Sequence, residues 1–392
     1  MGLYKISASL AIAVAATAAF YYITTPKKPH PKYFMPTYYQ ARRLFRNNCR
    51  KKGLELHSLP ITANDTADLG LTIDVAIYRG SNEKVMIHLS GTHGVEGYAG
   101  SAIQAKVLES LDFNPNGPTI VFVHVLNPYG MAFNRRWNEN GVDLNRNGLS
   151  EAEFQEKISL GAPKSYQRLF KLLNPPAKLN WDFFWPKTLY YLAVYGFNSI
   201  KATVVTGNYT YPNSLFFGGQ ELQQSHVLLS QFLKKHLNPD IVKELVFIDI
   251  HTGLGPKGFD TLMVDEVGAA VFDVKVFGEK YQNRVISDSS RDGSALSGYD
   301  EVSGGNGGFY GSLFPNLKKS MILVQEFGTV NGIAVFKALR ADNAAFHHDP
   351  DMFAKTSQDV CDVFYLRNDC GWKEDVLERG ETVFRQTLSL LK

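Results

Sequence analysis

At 392 residues the chain is too long for one small domain, and with 44% hydrophobic and 20% charged residues it is composed like an ordinary globular protein. Disorder, collagen and coiled coil are excluded as descriptions of the whole, and a net charge of +3 is too small to point to nucleic acid as a partner. The three cysteines, Cys49, Cys361 and Cys370, are odd in number and show no CxxC or Cys/His spacing, which excludes a disulfide framework and a cysteine-based structural zinc site.

From Ile6 to Ile23 the chain runs 18 residues without a charge, preceded by Lys5 and followed by Lys27 and Lys28. That length crosses a bilayer as a helix, with Tyr21 and Tyr22 at interface depth. We therefore expect a single-pass membrane anchor over 6–23. A signal peptide cleaved near Ala16-Thr17-Ala18, giving a secreted protein, is the rival. Lys27, Lys28, Lys32, Arg42 and Arg43 outnumber the cations before the segment, which leans towards a cytoplasmic C-terminal domain. The sequons at Asn64 and Asn208 would be usable only in the opposite orientation. Residues 24–37, rich in proline and lysine, read as a linker. A basic helix follows, with Tyr38, Ala41, Leu44 and Phe45 at roughly helical spacing; a solvated face explains its arginines more plainly than a lipid-headgroup patch does.

Strand and helix patterns then alternate. The runs 71–78, 84–90, 119–126, 245–250, 261–264 and 321–325 are short, β-branched and bounded by Gly, Pro or Asn, as strands are. Helices are expected at 97–110, 151–173, 219–237, 268–281, 331–343, 351–366 and 373–391. Such interleaving predicts an α/β fold with a mixed, mostly parallel central sheet and helices on both faces. No composition break divides 38–392, which we read as one catalytic-type domain with an insertion at about 150–240. Within it, 175–215 is dense in aromatics. Trp181, Phe183, Phe184 and Trp185 are read first as core packing of a lid, with membrane contact or cleft lining as alternatives.

Ligands of open α/β sheets bind beyond the carboxyl ends of the strands, and those ends carry the chemistry here. Strand 84–90 runs into His93 and Glu96; strand 245–250 runs into His251; strand 321–325 delivers Glu326. Strand 119–126 leads to Asn127-Pro128-Tyr129-Gly130, then Arg136, then Asp143-Leu144-Asn145-Arg146-Asn147. Two histidines and a glutamate are a known ligand set for catalytic zinc. A second glutamate suits a general base, an arginine suits a developing oxyanion, and an Asn-Arg pair suits a substrate carboxylate. Taken singly, HxxE is a weak signal and His251 is as well explained by capping its strand. The conjunction of all four motifs at strand ends is what carries weight. Asp249 is placed to support a ligand or merely to close the strand.

In that order, HxxE, NPxG…R…DLNRN, DIHTG and QEFG resemble the zinc carboxypeptidase family, the group that also holds succinylglutamate desuccinylase and aspartoacylase-like amidohydrolases. Within it the chain is similar to a branch catalogued as a domain of unknown function, through YYQARRLF, SGTHGVEGYAGSAIQ, NPYGMAFNRRWNENGVDLNRN and YPNSLFFGG. The resemblance spans about 38–370. It implies one Zn2+ per chain held by His93, Glu96 and His251, Glu326 as general base, Arg136 as oxyanion arginine, and Asn145 and Arg146 as the carboxylate pair. The substrate would be a peptide losing its C-terminal residue, or an N-acyl amino acid. The tyrosine that closes over substrate in carboxypeptidases has no clear counterpart; Tyr310 and Tyr299 are candidates. About a hundred residues separate Arg146 from His251, with Tyr211, Phe216 and Phe217 placed to reshape the cleft.

Three rivals fall on sequence grounds. Gly253–Gly258 spells GxGxxG, but Pro256 and a following strand stand where a dinucleotide-binding helix must begin. No GxSxG elbow exists, and Gly304–Gly308 precedes no P-loop lysine. A membrane-tethered binding protein on the same scaffold stays as the non-enzymatic alternative.

Overall fold

The computed structural model describes residues 32–391, apart from 176–178, 180–181, 266–267, 269, 271, 273, 279–284 and 288–302. The expected anchor over 6–23, Trp181 and Tyr299 lie outside the described residues. Among the described residues no helix is long and apolar enough to cross a membrane.

Residues 32–392 form one compact unit. Its strands are β1 (Glu55–Pro60), β2 (Thr72–Tyr78), β3 (Ser81–Ser90), β4 (Pro118–His124), β5 (Glu244–Gly253), β6 (Asp260–Val264), β7 (Val285–Ser287) and β8 (Lys319–Gly328). They form a single sheet in the order β1-β2-β4-β3-β5-β8-β6-β7. The centre, β4-β3-β5-β8, is parallel, whereas β1 and β2 on one side and β6 against β8 on the other run antiparallel. The sheet is mixed, as expected. β1 and β7 escaped the sequence reading: β1 alternates between exposed and half-buried and ends on Pro60, and β7 is three residues long.

The helices are α1 (Tyr38–Lys51), α2 (Gly97–Ser110), α3 (Pro128–Ala132), α4 (Glu151–Leu160), α5 (Lys164–Leu173), α6 (Phe184–Tyr195), α7 (Phe197–Thr206), α8 (Gln224–Leu237), α9 (Asn306–Gly311), α10 (Gly332–His348), α11 (Phe353–Phe364) and α12 (Cys370–Ser389). Cover on both faces follows from strand periodicity. β3 and β5 pair Ile87 with Phe247 and His88 with Ile248, so His88 and Phe247 point to opposite faces. His88 is met by Gln104 of α2, and Phe247 is stacked by Tyr310 of α9. Helix α2 lies close because its inner residues are small: a Cβ on Gly100 would stand 2.2 Å from Ser90 Oγ.

Two expectations need correction. The helix read over 151–173 is two, α4 and α5, because Gly161 takes φ +71° and Pro163 has no N–H to continue the first. The helix expected over 268–281 falls partly outside the described residues; of the described ones, 268 and 270 are helical and Val274–Phe277 form a 3-10 turn. The arginines of α1 are not simply solvated: Arg46 pairs with buried Asp74 of β2, and Arg42 donates to Gly70 O.

Candidate metal centre and active-site cleft

The chain passes from β3 to β4 on one side and returns to β5 on the other side of β3, which opens a crevice at the strand ends. Gly91 makes the exit from β3. Its φ is +67°, and a Cβ there would sit 2.6 Å from the Val125 side chain, so only glycine turns the chain here. His93 emerges from this turn, a 3-10 turn spans Gly94–Glu96, and α2 begins. His93 Nδ1 lies 2.9 Å from Glu96 Oε1, His251 Nδ1 lies 3.2 Å from Glu96 Oε2, and the two Nδ1 atoms are 3.1 Å apart. All three side chains are buried. Among the described residues they are the one His/Cys/Asp/Glu group placed to hold a metal ion. Two imidazole nitrogens and one carboxylate aimed at a common point fit a zinc-type donor set.

Each histidine is backed by an aspartate. His93 Nε2 lies 3.3 Å from Asp143 Oδ1, and His251 Nε2 lies 3.0 Å from Asp249 Oδ2. Asp249 also accepts from Thr92 Oγ1 at 2.9 Å and Asn306 Nδ2 at 2.9 Å. Phe247, Asp249 and His251 alternate along one face of β5, so the face that packs on α9 is also the face that carries the site. Burial opposes charge on Glu96, but the charge of His93 and the hydrogen bond from His251 outweigh it and hold the carboxyl below its ordinary range. Burial likewise opposes charge on His251, and Asp249 and Glu96 reverse the balance and raise it. Partners behind a ligand typically change metal affinity by about 10–100-fold. Asp249→Asn is therefore expected to weaken binding of a metal ion at this site by roughly that factor, read by chelator competition with added zinc; unchanged affinity would leave Asp249 with a structural role only.

Glu326 stands beside His251 in the parallel register of β5 and β8 and so shares its face. Its Oε1 accepts from Leu254 N–H at 2.9 Å. Burial first, then the charge of Glu96, raises the Glu326 carboxyl to about 7. The opposite wall is organised by buried Asp143, which accepts from Arg136 Nε at 3.0 Å, Arg146 Nη1 at 2.6 Å and the Asn145 N–H at 3.1 Å. Burial works against charge on Asp143, and Arg136 and Arg146 together hold it well below the usual carboxylate range. Phe216 lies with its ring 5.5 Å from the Arg136 guanidinium and 5.2 Å from that of Arg146. It adopts φ +58°, an unfavourable conformation for a bulky residue that persists only where its surroundings enforce it.

The cleft thus brings together His93, Glu96, His251, Glu326, Arg136, Asn145 and Arg146. Tyr310 is a correction. It is fully buried, its hydroxyl 2.8 Å from His226 Nδ1 and its ring on Phe247, and it does not line the cleft. Asn306 and Tyr310 are i, i+4 neighbours on one face of a short helix: Asn306 reaches Asp249 at the site, while Tyr310, one turn on, packs on Phe247 deeper along β5. Sequence reasoning gave no role to Asp143, Thr92 or Asn306. For Asp143 a signal existed, three residues before Arg146 and seven after Arg136; Thr92 and Asn306 meet only through the fold.

Residues 175–215 also differ from expectation. Phe184 is buried, but Phe183, Trp185, Leu189, Tyr190, Val194 and Phe197 are exposed, so this segment is core on one side only.

Among solved structures the chain is similar to bovine thrombin-activatable fibrinolysis inhibitor in complex with a tick carboxypeptidase inhibitor, at 11% identity over 85% of this chain and 99% of that one, with a TM-score of 0.45. It is similar to a metallo-carboxypeptidase from Pseudomonas aeruginosa in complex with (2-guanidinoethylmercapto)succinic acid, at 13% identity over 82% and 69% with a TM-score of 0.36. It is also similar to a murein-tripeptide amidase from Escherichia coli O157, at 15% identity over 75% and 90% with a TM-score of 0.36. A search of curated proteins found no match. The family model described as Protein of unknown function (DUF2817) matches residues 34–379, and the chain belongs to that family.

Proposed function

We propose that this DUF2817 protein is a zinc-dependent hydrolase of carboxypeptidase type, cleaving an amide bond next to a free carboxylate. The observation that carries the proposal is the convergence of His93 Nδ1, His251 Nδ1 and the Glu96 carboxylate in a cleft that also holds Glu326 and two arginines. His93, Glu96 and His251 would hold the metal, and zinc there supplies a Lewis acid that polarises the scissile carbonyl and acidifies water.

The protein's own groups do the rest. One Glu326 oxygen is held by the Leu254 N–H, which fixes the carboxylate so that it takes a proton from the attacking water and returns it to the leaving amine. Arg136, 3.7 Å from Glu96 through Nη1, donates to the carbonyl oxygen as that oxygen gains negative charge, and so stabilises the transition state more than the ground state. Asn145 and Arg146 grip the substrate carboxylate, with Asp143 orienting both arginines. In this assignment Arg146 binds and does no chemistry. Arg146→Ala is expected to raise KM by 10-fold or more, about 1.4 kcal/mol, with a smaller change in kcat; unchanged KM would assign the carboxylate to another group. Phe216→Ala, which removes the ring that lies beside both guanidiniums, is expected to raise KM in the same direction.

A peptide losing its C-terminal residue is the substrate class we favour. An N-acyl amino acid is the second, favoured by the apolar stretch of cleft wall at Val335, Phe336, Leu339 and Phe364. Assaying the purified chain on blocked peptides beside long- and short-chain N-acyl amino acids separates the two; turnover of neither, with metal bound, would favour a binding protein on this scaffold. We further propose attachment to a membrane through 6–23.

A further inference from the structure

Helix α6, FWPKTLYYLAVY, is apolar around nearly its whole circumference, with Lys187 as its one charge. Its inner side is occupied. Phe184 and Thr188 are buried, and the Phe184 ring lies 6.2 Å from that of Phe336. Asp182, just ahead of the helix, pairs with Lys187 and with buried Arg340 of α10. The helix is therefore pinned to the domain. On the outer side Trp185 and Leu189, and Tyr190 and Val194, are i, i+4 neighbours. With Phe183 before the helix and Phe197 after it, each is between 51% and 64% exposed. A helix apolar all round belongs in a core or in lipid, and a monomer rarely exposes a continuous apolar patch beyond a few hundred Å2.

We propose that the outer face of α6 docks on the interface of a phospholipid bilayer. Trp185 and Tyr190 are the residue types that settle at headgroup depth, each with an apolar body and a polar tip. The face carries no charge and few polar atoms, whereas a protein interface of standard size has a polar rim and about ten hydrogen bonds. At roughly 150–250 Å2 per aromatic side chain the patch is on the order of 600 Å2, short of the about 800 Å2 per partner that a stable dimer buries. The uncharged run 6–23 of the same chain independently points to a bilayer as the apolar phase within reach. Because α7 follows α6 directly after Gly196 and sends Val204 and Thr206 to the cleft wall, the helical pair that meets lipid also bounds the cleft. The proposal does not rest on the hydrolase assignment.

The test places an NBD fluorophore on Leu189→Cys in the full chain, in a Cys370→Ser background, reconstituted into phosphatidylcholine vesicles. Leu160→Cys on α4, where Leu160 is 72% exposed, carries the same label as the water reference. The label at 189 is expected to shift to the blue and to be quenched by lipids spin-labelled near the headgroup, while the label at 160 is not. Trp185→Glu with Tyr190→Glu is expected to abolish both effects without changing the far-ultraviolet circular dichroism. Water-like emission at both positions overturns the proposal. A blue shift without lipid quenching also overturns it, since the face would then be covered by segment 6–23 or by a second copy of the chain.

Discussion

Glu326→Gln is expected to keep its metal and lose about 10²–10⁴-fold in kcat, the span typical of a removed general base. The amide fills the same space and still accepts from Leu254 N–H through its carbonyl oxygen, but it takes no proton. The wild-type pH profile supplies a second readout. Burial and the Glu96 charge raise the Glu326 carboxyl to about 7, and only its ionised form accepts a proton, so activity rises with pH through that region and is lost below it. A bound cation favours the carboxylate and moves the acid limb downward from 7. The limb should vanish in the Gln variant's residual rate. Full activity in that variant would remove Glu326 from the chemistry, whatever the metal content.

His93→Ala and His251→Ala are each expected to abolish zinc binding and with it all turnover, whereas wild type is expected to bind about one zinc per chain, each measured by mass spectrometry of metals in the purified protein. Removing one of three protein ligands leaves His-Glu, too few to compete with water. The fold should survive, because the core of β3, β5 and β8 and their covering helices is apolar and does not depend on the site. Binding at 1,000 times Kd adds about 4.1 kcal/mol of stability, so added zinc should raise the melting temperature of wild type and leave both variants unmoved. Wild type that takes up no zinc after reconstitution would leave the binding-protein alternative standing.

Much of this site was legible because strand ends are legible. His93, His251 and Glu326 follow apolar runs that only a buried strand explains, and a parallel sheet places such ends along one crevice. The central strands were read to within a few residues for the same reason. β1, half-exposed and closed by Pro60, offers no such run, and α4 and α5 read as one because periodicity continues across Gly161-Ala162-Pro163. Tyr310 was misassigned because a residue type says nothing about how far from the strand end a short helix packs it.

The sequence by itself placed the chemistry-bearing residues, two histidines, two glutamates and the arginines in their order along the chain, because strand patterns fix those positions; the roles proposed for them come from the family resemblance. The sequence also set the apolar character of α6 and of 6–23. Only the tertiary structure decided which groups face one another. Asp143 becomes the hub of the cleft wall because Arg136 reaches it from the preceding loop while Asn145 and Arg146 reach it from the turn it caps, and Thr92 and Asn306 meet at Asp249 across 157 and 57 residues of chain. Phe216 comes to lie beside both guanidiniums in a backbone conformation of positive φ that its surroundings enforce. Local periodicity carries no information on contacts at such separations, because they form only when loops are closed by the burial of surfaces elsewhere.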